Sequence, residues 1–250
     1  MIDGVDPTLT ATIAAIFVFG GIVKGATGFG LPLVTISLTP LVAPLDLALA
    51  LNTLVVPITN IAQFWAAGGH GAALRLCWPL ILGLLLTTFA AAKALSGLSP
   101  AILSAVMGAL LIGFAALSFG APRLRVPETA SKPAAFGAGL AGGVVGAVMT
   151  APGPIFAVLF VGLGLSRREM IAAMGLAMIA VGVVVTGAFA TVGILDAPRA
   201  AASAAAAIPA FAGMWIGDRL GRRLSVEAFR RLVLLMLLGL GVHHMTRAFG

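Results

Sequence analysis

GGIVKGATGFGLP, residues 20–32, and GGVVGAVMTAPGP, residues 142–154, are two glycine- and proline-rich breaks in otherwise apolar sequence. They start 122 residues apart, and four positions of the first recur in the second: Gly20, Gly21, Val23 and Pro32 as Gly142, Gly143, Val145 and Pro154. Hydrocarbon tolerates broken backbone only where it faces protein or a wet cavity. The pattern therefore predicts two interrupted membrane helices that meet at a shared site.

The composition excludes a water-soluble domain. Of 250 residues, 60% are hydrophobic and 9% charged, and the mean hydropathy is +1.14. Long apolar runs without period-2 alternation indicate helices rather than a barrel, so we expect an all-α polytopic protein in a lipid bilayer. The net charge of +7 is explained by loop arginines at anionic headgroups rather than by nucleic acid. No spacing of ligand residues indicates a metal, and we expect no cofactor.

Ten apolar segments follow one another along the chain: 8–27, 31–43, 45–67, 72–94, 99–120, 134–151, 153–165, 168–192, 197–219 and 226–247. The second and seventh follow the breaks directly and are about 13 residues long, short of the roughly 20 that a spanning helix needs. They are either tilted short spans or arms of re-entrant hairpins. We expect roughly eight full spans and two short segments.

The duplication predicts a first membrane repeat at 1–120, a linker at 121–133 and a second repeat at 134–250. The turn holding Asp46 is acidic, whereas its counterpart holds Arg167 and Arg168, which places equivalent loops on opposite sides of the membrane. Ten crossings put eleven Lys and Arg residues on one side and three on the other. We therefore expect inverted repeats of five segments each, with both termini outside.

Helix caps can be placed from the sequence. Ser99 before Pro100, and Ser225 in the second repeat, are expected to cap the last helix of each half. Ser166 and Glu169 have the spacing of a capping box at the start of the eighth segment.

Lys24 is the one basic residue well inside an apolar run. It either snorkels to the headgroups from a helix end or supplies positive charge for an anion at the first break. Gly25, Gly28 and Gly30 would expose backbone N–H groups to such an anion, with Thr27 beside them and Pro32 in the first turn of the next helix. The alternative is that these glycines only allow close helix packing.

The second break offers a hydroxyl at Thr150 and a stiff turn at Pro152, Gly153 and Pro154. Neither break has an acidic residue nearby, and no carboxylate in the middle of a segment stands out as a proton carrier. Thr150, Pro152 and Pro154 are the expected contribution of the second half to the site.

The third segment has a polar face too polar for lipid. Asn52, Thr59 and Gln63 recur at spacings of seven and four and share one side of a helix. That face either packs on another helix through hydrogen bonds or lines a hydrated path. Asn52 and Gln63 are taken as candidate binding residues.

GGIVKGATGFGLPLVTISL and GGVVGAVMTAPGPIFAVLF resemble the two Gly-rich signatures of the TauE/SafE sulfite exporter family, also called toluene-sulfonate-uptake-type permeases. The resemblance runs from about residue 10 to 247 and includes GDRLGRRLSVEAFRRLVLLMLLGLG near the end. It implies an inner-membrane secondary transporter, an exporter or permease, for small sulfur-containing or organic anions such as sulfite or sulfonates. In this chain Gly146 stands where Lys24 would recur.

Two other functions remain open on the sequence: an intramembrane enzyme and a structural membrane subunit. An enzyme needs a nucleophile with a base in reach. His70, His243 and His244 lie at loop or terminal positions, so no histidine is placed to activate a mid-segment threonine. We expect no catalytic residue.

Overall fold

Ten α-helices form the part of the chain that the computed structural model describes, which is residues 6–68, 70–119, 125–221 and 226–249. They lie at the ten predicted segments, no strand occurs within those ranges, and short 3₁₀ turns cover Thr39–Leu41 and Glu128–Ala130. The helices are α1 (Pro7–Thr27), α2 (Leu31–Leu38), α3 (Leu45–Ala67), α4 (His70–Ser96), α5 (Pro100–Phe119), α6 (Ser131–Met149), α7 (Gly153–Gly162), α8 (Arg167–Thr191), α9 (Ala197–Gly221) and α10 (Val226–Phe249).

Six of these helices, α1, α3, α4, α6, α8 and α9, are long and apolar enough to cross a membrane. Four described apolar stretches are shorter: Leu31–Leu41, Ala101–Ala116, Gly153–Gly162 and Leu234–Thr246. Large apolar side chains such as Trp65, Leu86 and Ile208 are more than 60% exposed on the outer surface, which only a lipid environment makes favourable. The protein is therefore a multi-pass helical membrane protein.

Helix ends follow the capping chemistry in the sequence. The capping box at Ser166 and Glu169 is confirmed, with Ser166 accepting from the Glu169 N–H and Glu169 accepting from the Ser166 N–H. α5 begins at Pro100, and the Ser99 hydroxyl lies 3.4 Å from the Ile102 amide. The expected cap at Ser225 lies outside the described residues. Of the expected linker, 121–124 also lies outside them, and 131–133 forms the first turn of α6.

α1 and α3 run in the same direction. Lys24 Nζ donates to Thr59 Oγ1 at 3.1 Å, and Gln63 Nε2 donates to the Gly28 carbonyl at 2.8 Å. Later residues of α1 thus lie beside later residues of α3, and α2 has to carry the chain back between them. With eight residues, α2 is only about 12 Å long, well short of the roughly 30 Å hydrocarbon core.

Glycines bring α1 into direct backbone contact with α9. A Cβ at Gly21 would overlap the Ala210 carbonyl, and one at Gly25 would overlap the Met214 carbonyl. From the other side, a Cβ at Gly213 would lie 3.0 Å from Gly21 Cα. Glycines four apart allow such close helix crossing in lipid, where packing rather than water drives association.

The same packing joins α4 and α6. A Cβ at Gly83 would overlap the Phe136 carbonyl, and one at Gly143 would overlap the hydroxyl of Thr87. That hydroxyl donates to the Leu140 carbonyl at 2.9 Å, so a polar bond is added across the helix pair. The long helices are therefore held in fixed pairs around the two breaks.

We expect Gly213→Ala to destabilise the detergent-purified protein by about 1–3 kcal/mol, because the added methyl group has no room against α1. Thermal unfolding measures the loss. Gly113→Ala is the matched control, since Gly113 is exposed on α5 and a Cβ there meets nothing within 4 Å; it should stabilise the helix by about 0.5–1 kcal/mol. Equal effects of the two substitutions would contradict the α1–α9 contact.

Candidate functional site

The first break is a turn with two glycines in the left-handed region. Gly28 ends α1 with φ 87°, and its N–H donates to the Lys24 carbonyl at 2.7 Å. Gly30 precedes α2 with φ 101°. Only glycine adopts these angles without steric cost, so the two glycines reverse the chain inside the protein.

The second break repeats this turn with a threonine. Thr150 ends α6 at φ 51°, the one non-glycine residue of the described chain with a positive φ. It occupies the place that Gly28 has in the first copy. A β-branched residue held in this region is strained by about 1–3 kcal/mol. Its hydroxyl is buried and has no hydrogen-bond partner within the described structure.

A small cavity lies between the two breaks. The space that a water-sized sphere can enter is about 10 Å³, enough for about one water molecule. The cavity is lined by both breaks and by α3 and α8, through Lys24, Phe29, Gly30, Pro32, Leu33, Asn60, Ala151, Gly153 and Met178. The structure thus brings together the two stretches that the sequence singled out.

Two helix N-termini meet at the small cavity. α2 starts after Gly30 and α7 starts at Gly153, and no side chain caps either of them. The first N–H groups of a helix have no partner within the helix and form its positive end. Pro32 and Pro154 occupy the second helical positions, where a missing N–H costs nothing. Anions bind favourably at such ends.

Lys24 lies next to these helix ends and is 2% exposed. Its ammonium donates to Thr59 Oγ1, and no carboxylate of the described chain forms an ion pair with it. The ion pair that the described residues do form, between Arg199 and Asp46, is at another end of the protein. Lys24 therefore does not snorkel to the headgroups, and its amino group borders the cavity without a carboxylate partner among the described residues.

A larger opening, here called the vestibule, also borders Lys24. Its volume is about 1020 Å³. It is bounded by the end of α1, the end of α3 at Gln63, the start of α8 at Met170 and the end of α9 from Phe211 to Gly221. Lys24 and Phe29 line both the vestibule and the small cavity. Lys24 therefore lies where the two spaces adjoin.

Beyond the small cavity the helices pack tightly. Ser203 of α9 donates to the Leu51 carbonyl of α3 at 2.7 Å and accepts from the Leu54 amide at 2.9 Å. Further along, the guanidinium of Arg199 donates to Asp46 at 2.7 Å and joins the starts of α9 and α3. The vestibule therefore lies at the end of α3, whereas α9 contacts α3 nearer its start.

The polar face of α3 is mainly a packing face. Asn52 is buried, accepts from the Thr35 hydroxyl at 2.5 Å and donates to the Ala48 carbonyl at 2.9 Å, so it ties α2 to α3 and lines neither cavity. Gln63 donates to the Gly28 carbonyl and does line the vestibule, and its Oε1 is buried without a partner. Asn52 therefore packs on another helix through hydrogen bonds. Gln63 forms such a hydrogen bond and also borders the vestibule.

The remaining residues predicted at the first break have separate roles. Gly25 lies inside α1 against α9 and also borders the vestibule. Thr27 ends α1, with its Oγ1 2.8 Å from the Val23 carbonyl and 2.6 Å from the Phe29 carbonyl. Its hydroxyl is therefore occupied by the turn. The glycines accordingly divide into packing positions within α1 and turn positions after it.

Sequence reasoning did not predict five of the lining residues: Phe29, Leu33, Asn60, Ala151 and Met178. Asn60 was visible as a polar residue in an apolar helix, but it lies off the face that Asn52 and Gln63 share. His244 lies near the end of α10, as predicted, but its burial was not foreseen: its Nε2 is 3.1 Å from the Ser37 carbonyl of α2. Helical spacing alone does not show which face of α10 is covered.

Comparison with known protein families matches residues 13–243 to the family described as sulfite exporter TauE/SafE. No curated protein and no solved structure matched the chain. The family match covers nearly the whole chain, including both breaks, Lys24 and every helix from α1 to α10. The chain belongs to the sulfite exporter TauE/SafE family of membrane transporters.

Proposed function

We propose that the protein is a secondary transporter of the cell inner membrane for small sulfur-containing or organic anions such as sulfite or sulfonates. The observation that carries the proposal is Lys24, a buried ammonium without a carboxylate partner at the junction of the vestibule and the small cavity. Charged groups inside membrane proteins are costly and mark substrate pathways. An anion would supply the missing negative charge.

The anion would be held by three kinds of donor. The Lys24 ammonium gives charge, the starts of α2 and α7 give N–H groups and positive dipole ends, and Gly30 and Gly153 let the anion approach the backbone closely. Thr150 would add a hydroxyl donor. This role would account for its strained conformation and for the lack of another partner for its hydroxyl within the described structure. Strained residues of this kind cluster at functional sites.

Transport would use alternating access. The vestibule ends at Lys24, whereas the α3–α9 contacts at Ser203 and Asp46–Arg199 seal the other side. Arg168 and Arg219 lie at the vestibule end of α8 and α9, and basic residues accumulate on the cytoplasmic side. The conformation described would therefore face the cytoplasm. The small cavity would have to widen to hold an anion, which is expected of a site between moving parts.

The helix pairing supports two inverted repeats, 1–120 and 134–250. α1 of the first half packs on α9 of the second, and α6 of the second half packs on α4 of the first. Since α6 corresponds to α1 and α9 corresponds to α4, the two pairs are equivalent. α3 packs on α8 and α5 on α10, each against its own counterpart. A two-fold axis between the halves gives this pattern. Counted with α5 and α10, the spans would be eight, with α2 and α7 as the short segments.

The two halves would not bind anions equally. Gly146 and Val181 stand at the repeat positions of Lys24 and Thr59, so the second half lacks the ammonium and its hydroxyl partner. A Cβ at Gly146 would lie 3.5–3.6 Å from Val185 and Val181, an apolar contact. One monomer would therefore hold one anion at a time.

Lys24→Gln should reduce sulfite or sulfonate flux in proteoliposomes by about tenfold or more, because a charge-assisted hydrogen bond contributes about 1.5–3 kcal/mol. Thermal unfolding with and without sulfite, thiosulfate and methanesulfonate separates binding from folding, since ligands of the native state raise its stability. Lys93→Gln, at an exposed lysine of α4, is the control and should transport normally. Unchanged flux in the Lys24 variant would refute the proposed role.

Thr150→Gly should stabilise the protein by about 1 kcal/mol through release of backbone strain, and should weaken anion binding by about tenfold through loss of one hydrogen bond to a charge. Gly28→Ala is the reciprocal variant and should lose about 1 kcal/mol of stability. Thermal unfolding and anion titration measure both quantities. Lower stability of Thr150→Gly would show that the hydroxyl has a structural partner.

Single cysteines test the inversion. In a Cys77→Ala background, Val42→Cys and Ser166→Cys place thiols at exposed positions after α2 and before α8. A membrane-impermeant thiol reagent should label Val42→Cys from outside intact cells and Ser166→Cys only after permeabilisation. Labelling of both from one side would contradict the inverted arrangement.

A further inference from the structure

Lys24 carries its charge in a setting that supplies no fixed negative partner. On α9, Asp218 and Arg219 lie at the vestibule end, and Asp218 is exposed and forms no ion pair with Lys24. On α3 the one carboxylate is Asp46, which is paired with Arg199. α2 has no ionisable side chain. Across the vestibule, α8 begins with Arg167, Arg168 and Glu169, and Glu169 accepts hydrogen bonds from Ser166.

α10 also contacts α1 and α2. Its ionisable residues are Glu227, Arg230, Arg231, His243, His244 and Arg247. Among the side chains that are described there, His243 is exposed and His244 contacts the Ser37 carbonyl of α2. None of these described groups forms an ion pair with Lys24.

A carrier that gives net transport of one solute, without exchanging it for another, must reorient both loaded and empty. With an anion bound, the ammonium is neutralised and the loaded site crosses as an ion pair. Without one, an uncompensated ammonium would have to stay out of water in a low-dielectric interior, which is strongly unfavourable. The empty site becomes permissible when Lys24 returns as a neutral amine.

The hydrogen bonding around Lys24 accommodates both forms. Thr59 Oγ1 donates to the Val55 carbonyl at 2.7 Å, so its lone pair is left to accept from Lys24 Nζ at 3.1 Å. A neutral amine keeps N–H groups for that bond, and an ammonium has further N–H groups for an anion. The vestibule brings water to Lys24, and water is the source and the acceptor of the proton.

We propose that Lys24 is also the proton-coupling residue, so that the protein transports each anion together with one proton. This inference rests on the proposed function. A proton from the aqueous vestibule binds the Lys24 amine as the anion enters, and the ammonium–anion pair crosses. The proton and the anion are then released on the far side. The neutral amine then returns, so each cycle moves one anion and one proton, and no net charge when the anion is monovalent.

The coupling decides the direction of transport. A cell interior is negative, so an uncoupled anion carrier favours export. A carrier that moves a monovalent anion together with one proton is insensitive to the potential and follows the pH gradient, which favours uptake into an alkaline interior. The same measurement that tests the coupling therefore also tests the direction.

Proton uptake on anion binding is the direct test. Purified protein in weak buffer with a pH-indicator dye is titrated with methanesulfonate and thiosulfate, which stay fully ionised between about pH 5 and pH 9, the range below lysine's ordinary titration. We expect up to one proton taken up per anion bound, and an affinity that falls as pH rises, approaching tenfold per pH unit. Binding without proton uptake and with a flat pH profile overturns the coupling and leaves the proposed function standing. No binding of either anion, nor of sulfite, overturns both.

Lys24→Arg isolates the titration from the charge, because a guanidinium stays protonated throughout this range. We expect it to bind anions without proton uptake and with a flat pH profile, whereas Lys93→Gln keeps the wild-type profile. If Lys24→Arg does not fold, the wild-type profile and stoichiometry decide alone. In proteoliposomes, an acidic exterior should drive uptake of the monovalent anion methanesulfonate, and a potassium diffusion potential of either sign should leave that rate unchanged. A rate that follows the potential contradicts the proposal.

Discussion

The protein depends on one constraint: hydrocarbon offers no hydrogen-bond partner to a broken backbone. Both breaks must therefore be enclosed by protein, and the fold provides the enclosure. α3 and α8 pack together beside the breaks, while the α1–α9 and α4–α6 pairs close around them. The glycines of those pairs let the backbones touch. Enclosure in turn creates a place inside the protein where two uncapped helix starts border one small cavity.

Charge gives that place its chemistry. A helix start has only a partial positive charge, but Lys24 adds a full one with no carboxylate of the described chain paired to it. The strained Thr150 and the partnerless oxygen of Gln63 lie in or next to the same breaks. Each feature costs stability in the absence of a ligand. Their concentration in one region, beside tightly packed helices, is what favours binding over a purely structural role.

The two ends of α3 differ. The vestibule borders Lys24 near the end of α3, while Ser203 and the Asp46–Arg199 pair hold α9 against α3 nearer its start. Beside these polar contacts lies an apolar cluster that includes Leu51 and Val55 of α3 and Ala207 and Ala210 of α9. The ion pair is partly exposed, and partly exposed ion pairs contribute little stability, so the apolar cluster carries most of this contact.

The sequence by itself determined the helices, the breaks and the position of Lys24 inside an apolar run, because these follow from local rules. Apolar length sets a membrane segment, glycine and proline interrupt it, and capping residues fix its ends. Only tertiary structure decided which glycines pack and which turn, since Gly25 and Gly28 differ in what lies opposite them. It also decided that Asn52 binds α2 while Gln63 borders the vestibule, that Asn60 reaches the small cavity, and that His244 is buried. A helical face is visible in sequence, but its neighbour is chosen by the packing of distant helices.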